Sequence, residues 1–382
     1  MKDFSFYNPT KVEFGRGKEA LIGSYMAPFG VKKALILYGS ERVKSSGLFE
    51  TAVKSLADNG IDYVELGGIK SNPVISKARE GVKIAKENHV DAILAIGGGS
   101  VIDSAKVIAA GAVYDGDVWD LCNYQNSPDA ALKIFDILTL SAAGSETNCS
   151  AVITNEETTE KFGFSSPAAY PSVSVINPDL QSTVTSHYLA YSAVDICSHC
   201  LDLYFTASYI PEMTADHIEN ILKTVIRTTD ILLKNPSDYE ARSEFIWAAS
   251  VALNGSTRIG VEGNRFDTHL IEHSMSALYD IPHGAGLAVV LPAWTSWHMS
   301  MNPQRYERFA RNVFGVQSGE EGVEAFRNWI VKIDAPVSLK EVHIPENGIH
   351  PLAAHIFRTI QMAGMQELYP IETLTDLLSS MR

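Results

Sequence analysis

"DAILAIGGGSVIDSAKVIAAGAVY" (residues 91–114) runs from an unbroken apolar stretch through three glycines into a helical pattern. The apolar stretch shows no alternation, so it reads as a strand covered on both faces, as in a parallel sheet. A buried strand that feeds straight into a helix is half of a βαβ unit, and the same rhythm continues on either side. Upstream, "KALILYG" (33–39) and "IDYVELGGI" (61–69) read as strands, and "SKAREGVKIAKENHV" (76–90) as a helix. Downstream, "IFDILTL" (134–140) and "VSVINP" (173–178) read as strands, with "AVITNEETTEKFGFSS" (151–166) as a polar hairpin between them. The N-terminal half is therefore expected to be an α/β domain with a mainly parallel sheet.

Beyond Pro178 the pattern changes. "HYLAYSAVDICSHCLDLYF" (187–205), "EMTADHIENILKTVIRTTDILLK" (212–234) and "EARSEFIWAASVALNGS" (240–256) carry long 3.6-residue periods, so an all-α C-terminal domain is expected. The boundary falls near residue 180, giving domains 1–180 and 181–382; a chain of 382 residues suits two such units. The formal charge is −14, from 45 acidic against 31 basic residues, and no basic run interleaved with aromatics argues for nucleic acid. No apolar stretch reaches the roughly 18 residues of a membrane span. The N-terminal "MKDFSFYNPTKVEFG" has no apolar segment ending in a cleavage site, and four cysteines make no disulfide framework. The cytoplasm is the expected compartment.

Gly97, Gly98 and Gly99 end the buried strand, where open α/β sheets bind ligands. Glycines let a phosphate approach the backbone, and the N–H groups of a helix N-terminus favour an anion. Ser100 is placed to cap the helix and to donate from its hydroxyl. The spacing is neither G-x-G-x-x-G nor a Walker loop, and by itself it fits a tight strand-to-helix turn equally well.

A second constellation lies in the helical half. Asp195 and His199 stand at i, i+4, which puts both on one helix face, and His269 and His273 repeat that spacing. His283 follows Pro282, which should end the second helix and turn the chain into a loop. Three imidazoles and one carboxylate can converge this way, a donor set suited to Fe2+ or Zn2+. Each pair alone is also what a surface hydrogen bond looks like. Cys197 and Cys200 form a C-x-x-C, but at about 100° per residue Cys197 points away from the Asp195/His199 face. With no second cysteine pair, both read as packing residues.

Taken together, "FYNPTKVEFGRG" (6–17), "SNP" (71–73), "GGGSVIDSAK" (97–106), "TLSAAGSETN" (139–148), "VINPDL" (175–180), "DICSHCLDLY" (195–204) and "HLIEHSMSALYDIPHG" (269–284) resemble the iron-containing (group III) alcohol dehydrogenase family. The likeness is to its branch of butanol dehydrogenases and NADPH-dependent aldehyde reductases, and it runs nearly end to end. It implies an N-terminal dinucleotide-binding domain, a helical metal-binding domain and an active site in the cleft. It implies metal ligation by Asp195, His199, His269 and His283, with His273 lining the substrate pocket as the catalytic group. Gly97, Gly98, Gly99 and Ser100 match the diphosphate loop, and Asp103 sits a turn beyond it. Asn72, Thr139, Asn148 and Lys161 match positions around the nucleotide, and Gly39 and Ser40 match the turn near the adenosine ribose. Relatives are commonly dimers joined through N-terminal strands, so a homodimer is expected. Ser141, Ala143 and Asp202 depart from the branch's usual residues, and a glutamate is usual where Asp202 stands.

The implied reaction is hydride transfer between a nicotinamide nucleotide and a small aldehyde or primary alcohol, with the metal polarising the substrate oxygen. The alternatives are a polyol dehydrogenase of the same fold and a metal-dependent hydrolase. The expected nucleotide is NADP(H), with NAD(H) possible. Ser40, Arg42 and Lys44 would attract a 2′-phosphate, and Glu41 is the counterweight.

Overall fold

The computed structural model describes residues 1–123 and 126–382. The chain divides into two compact units, Tyr7–Thr183 and, together, Met1–Phe6 and Val184–Arg382. The first six residues thus join the helical unit: the Lys2 N–H donates to the Gly260 carbonyl at 3.2 Å and the terminal ammonium to the Tyr209 hydroxyl at 2.8 Å.

In the α/β unit the strands are β1 (Lys11–Phe14), β2 (Lys33–Tyr38), β3 (Asp62–Leu66), β4 (Ala92–Gly98), β5 (Lys133–Leu140), β6 (Ser150–Asn155), β7 (Glu160–Ser165) and β8 (Val173–Ile176). Among the described residues six of them form one sheet in the order β1-β8-β5-β4-β2-β3, with every pairing parallel. β6 and β7 form the expected antiparallel hairpin. The longer helices of this unit are α1 (Leu48–Asp58), α2 (Ile75–Glu87) and α3 (Gly99–Val113). Ala92 to Ile96 are fully buried, which is why the central strand carries no polar alternation. Each large aliphatic side chain there contributes about 1.5–3 kcal/mol by leaving water.

The strand order fixes where a ligand can sit. The chain leaves β2 toward β3 on one side and leaves β4 toward β5 on the other, so the connections diverge between β2 and β4. That is the switch point at which open α/β sheets open a crevice outside the strand ends. The turns after β2 and β4 begin with Gly39 and with Gly97–Gly99. Sequence patterning missed β1, a short edge strand with no buried residue, and several single-turn helices.

The longer helices of the second unit are α4 (Ser186–Thr206), α5 (Glu212–Leu232), α6 (Tyr239–Leu253), α7 (Asp267–Tyr279), α8 (His283–His298), α9 (Gly319–Lys332), α10 (Ile349–Met362) and α11 (Ile371–Ser380). α4 is capped by Thr185, whose hydroxyl accepts from the Tyr188 N–H, and it is buried without a break from Ser192 to Thr206. A helix covered all round is the central one, and α4 packs against both α5 and α8. Among the described residues no helix is long and apolar enough to cross a membrane.

Candidate functional site

α4 buries Asp195, His199 and Asp202 in the middle of an apolar core. Polar and charged groups at such depth are costly unless they are paired. Asp195 and His199 stand one turn apart, with the carboxylate Oδ1 3.6 Å from His199 Nε2. α7 brings His269 to the same point, its Nε2 3.9 Å from that oxygen. α7 then ends at Asp280, whose left-handed φ of 49° turns the chain through Ile281 and Pro282. His283 is not in a loop, as its place after proline suggests: Pro282 is the N-cap and His283 the first residue of α8. Its Nε2 lies 3.7 Å from Asp195 Oδ1.

The glycines of "HGAG" (283–286) make this meeting possible. A Cβ on Gly284 would lie 2.2 Å from the Tyr191 carbonyl oxygen of α4. A Cβ on Gly286 would lie 2.6 Å from the Glu272 carboxylate of α7. Only residues without side chains let α8 come this close to both helices.

Three imidazole nitrogens therefore surround one carboxylate oxygen. Asp195 Oδ1 and His269 Nε2 are buried without a hydrogen-bond partner, a costly state in the absence of a cation. Ligand atoms held at about 2.0–2.2 Å around one tetrahedral ion lie roughly 3.3–3.6 Å apart, close to the separations seen. The residues present fit a divalent transition metal. His199 is pulled down to about 3 by burial, opposed by Asp195 and reinforced by His269 and His283, so its ring is neutral and able to ligate. His273 stands on the same face as His269, with ring centroids 6.2 Å apart, and 5.6 Å from the His283 ring. It is half-buried, and the His283 side chain is 24% exposed, so the cluster opens on the side these two share. Cys197 and Cys200 are fully buried, and burial pushes both thiols up, which suits packing rather than ligation.

Sequence patterning missed two members of this cluster. The Asp202 carboxylate lies 2.7 Å from His269 Nδ1, and the Glu272 carboxylate bonds His283 Nδ1. The available signals were a second acid two turns after Asp195 and an acid beside His273, each one or two helical turns from a candidate ligand.

In the α/β unit, Gly39 follows β2, Gly97 and Gly98 end β4, and Thr139 stands at the end of β5, so three adjacent strands deliver them to one edge. The helix cap differs from expectation. Gly98 occupies the N-cap with no side-chain bond, while Ser100 lies inside α3 and its hydroxyl donates to the Ser71 carbonyl at 2.5 Å. That bond brings Asn72 beside the glycine turn, and Lys161 Nζ donates to Asn72 Oδ1 at 3.3 Å. Asp103 and Asn148 face inward, to protein partners. Asp103 accepts from the Ser145 hydroxyl at 2.6 Å and the Val152 N–H at 3.0 Å. Asn148 Oδ1 accepts from Lys106 Nζ at 2.9 Å, and Asn148 Nδ2 donates to the Gly144 carbonyl. Lys106 is fully buried and donates further to Ser145 and to the Ser150 carbonyl, so α3 holds the segment 144–152.

At the turn after β2, Lys44 Nζ pairs with Glu65 at 2.8 Å and lies 3.8 Å from Glu41. Arg42 Nη2 donates to the Thr183 carbonyl at 3.2 Å.

Comparison with known proteins agrees with both halves. Residues 9–178 match the model of iron-containing alcohol dehydrogenases, and residues 189–381 match the C-terminal region of the Fe-containing alcohol dehydrogenase family. A probable NADH-dependent butanol dehydrogenase 1 of Bacillus subtilis is 38% identical over 389 residues, covering 100% of both chains. The NADPH-dependent aldehyde reductase YqhD of Escherichia coli is 30% identical over 96% of this chain and 95% of its own. A crystal structure of NADH-dependent butanol dehydrogenase A from Thermotoga maritima matches with a TM-score of 0.96 at 44% identity, covering 100% of this chain and 99% of that one. The chain belongs to the iron-containing alcohol dehydrogenase family, and it is an NAD(P)-dependent oxidoreductase acting between alcohols and aldehydes.

Proposed function

We propose that this enzyme interconverts a small aldehyde and its primary alcohol at a centre held by Asp195, His199, His269 and His283. The observation that carries the proposal is the approach of three Nε2 atoms to within 4 Å of the partnerless Asp195 Oδ1. A bound Fe2+ or Zn2+ supplies Lewis acidity at the substrate oxygen, and the nicotinamide supplies the hydride. The four side chains hold the ion in a nitrogen-rich set suited to either metal. His273, on the open side of the cluster and off the ligand set, gives or takes the proton at the substrate oxygen. Gly97, Gly98, Gly99 and Ser100 receive the diphosphate on the N–H groups that open α3. Gly39 and Ser40 border the ribose, and Asn72, Thr139 and Lys161 line the nucleotide site. To Asp103 and Asn148 we assign a supporting role, since their partners are protein groups.

NAD(H) is favoured over the NADP(H) expected from the sequence, on two grounds. Arg42 and Lys44, the cations meant for a 2′-phosphate, already have a carbonyl and two carboxylates as partners. The similar butanol dehydrogenases are also named as NADH-dependent. A homodimer is supported by the edge position of β1, unpaired on its outer side among the described residues, and by the exposed Phe4, Phe6 and Tyr7 just before it in sequence. Four free cysteines agree with a reducing cytoplasm.

The test is butanal reduction by protein of known metal content, with each reduced nucleotide in turn. Turnover that requires stoichiometric metal and runs at higher kcat/KM with NADH supports the reading. Turnover independent of metal refutes the centre, and a higher kcat/KM with NADPH refutes the nucleotide choice. Light scattering reads the oligomeric state.

A further inference from the structure

Two carboxylates beside the metal centre, Asp202 and Glu272, are fully buried, and neither is among the proposed ligands. Asp202 is satisfied at both oxygens. Its Oδ1 accepts from the Thr268 N–H at 3.0 Å, and its Oδ2 accepts from His269 Nδ1 at 2.7 Å and the Thr268 hydroxyl at 2.8 Å. Glu272 accepts from His283 Nδ1 at one oxygen and from the Ser276 hydroxyl at the other. An ionised carboxylate can only accept, so the imidazole facing it carries its proton on Nδ1 and presents a lone pair at Nε2. In both histidines Nε2 is the atom turned toward Asp195. His199 differs: its Nδ1 is buried with no hydrogen-bond partner, and its ring stacks on His269 at 4.8 Å.

We propose that Asp202 and Glu272 are positioning residues that lock His269 and His283 in the Nδ1–H tautomer with Nε2 aimed at the metal position. The inference rests on the metal centre proposed above. Metal-bound histidines are commonly oriented this way, and removing the partner weakens binding about 10–100-fold. The two sites differ in what an amide would do. Asparagine at 202 has one acceptor for donors on opposite sides. If its oxygen meets the Thr268 N–H, its NH2 faces His269 Nδ1 and drives the proton to Nε2, where the ion must bind. Glutamine at 272 has no such conflict, because the Ser276 hydroxyl can rotate to accept from the new NH2 while the oxygen still meets His283 Nδ1.

The experiment measures Zn2+ dissociation constants of metal-stripped protein by competition with a chromophoric chelator, and the visible spectrum of the Co2+ form. Wild type, Asp202→Asn, Glu272→Gln, Glu272→Leu and Ile271→Val are compared, with thermal melts of each. Asp202→Asn and Glu272→Leu are expected to bind Zn2+ about 10–100-fold more weakly and to shift the Co2+ bands. Glu272→Gln is expected to bind within a few-fold of wild type, which is rescue by the conservative variant. Ile271→Val, a buried change on the same helix, should lower the melting temperature and leave the dissociation constant alone. Equal weakening by Glu272→Gln and Glu272→Leu would mean that charge matters and position does not, which overturns the inference. So would unchanged binding in Asp202→Asn, or weakening by Ile271→Val in step with its melting temperature. If Asp202→Asn does not fold, the two Glu272 variants decide alone. A wild-type protein that binds no Zn2+ refutes the metal centre itself.

Discussion

As proposed, the metal centre and the glycine turn solve the same problem, holding a charged group, with opposite materials. At the centre, side chains from α4, α7 and α8 do the holding, and two of the three imidazoles are held in turn by a carboxylate. At the turn the backbone does it: Gly97 to Gly99 contribute N–H groups and empty space, and the polar side chains behind them face away into the fold. A site made of side chains is lost with one ligand. A site made of backbone is lost only when the segment shifts, so its weak points are the residues that fix the segment.

That contrast is sharpest when ligands are removed one at a time. His269→Ala and His283→Ala are expected to lose stoichiometric metal and more than about 100-fold in turnover, beyond the 10–100-fold typical of outer partners. His273→Ala should keep its metal and lose about 100–10,000-fold in rate, the range of a general acid or base. Elemental analysis separates the two classes, and metal loss in His273→Ala would break the assignment.

Legibility in the sequence follows the same division. The convergence of Asp195, His199, His269 and His283 is legible because i, i+4 spacing and a proline are local signals, and the glycine turn is legible because its conformation is local too. Asp202, Glu272 and Lys106 were not, because each acts on a partner reached only through the fold; Lys106 meets Asn148, 42 positions away. Ser100 does not cap the helix for a related reason. The glycine before it takes the cap position, and the serine hydroxyl is drawn to Ser71 by the neighbouring strand connection. The sheet was legible in its covered strands and not in β1, whose edge position leaves no buried residue to give a pattern.

Lys106 is the place to attack the backbone site. Lys106→Met takes a nearby cation from Asp103 and leaves four oxygens, two on Ser145 and one each on Asn148 and Ser150, short of a donor, which should cost about 3–5 kcal/mol. Burial pulls the Lys106 ammonium down to about 8 although Asp103 opposes it, while in the unfolded chain it titrates near its ordinary 10.5. Between those values the unfolded chain holds a proton that the folded one has lost, so wild-type stability rises with pH. The gap between wild type and Lys106→Met should therefore widen from pH 8 to pH 10 in denaturant titrations, by at most about 1.4 kcal/mol per pH unit. A gap that narrows would show that Lys106 stays charged and is stabilised as such. Zn2+ affinity should be unchanged, because the lysine and the metal centre belong to different units. In the other unit, Gly284→Ala forces α8 off the Tyr191 carbonyl, and overpacking of this kind costs about 1–3 kcal/mol. Its thermal shift should come with weaker metal binding, since His283 begins the displaced helix.

The smallest expected effect concerns the ribose turn, where charge and not packing is at stake. Lys44 sits in an exposed pair with Glu65, and the hydrogen bonds it donates to Glu65 and then to Tyr38 hold its ammonium above the usual lysine range. Glu65→Gln neutralises the carboxylate at 2.8 Å and leaves Glu41 at 3.8 Å as the remaining acid. If the pairing is what keeps Lys44 from a 2′-phosphate, the variant should raise kcat/KM with NADPH and leave kcat/KM with NADH nearly unchanged. Exposed ion pairs are weak and screened by salt, so the ratio should move only about 2–5-fold, and less as ionic strength rises. Glu41→Gln in the same background should move it further in the same direction, because Glu41 also receives the Tyr38 hydroxyl at 3.4 Å and stays close to the turn. A ratio that does not move in either variant would show that the shape of the Gly39–Ser40 turn, and not its charges, sets the choice of nucleotide.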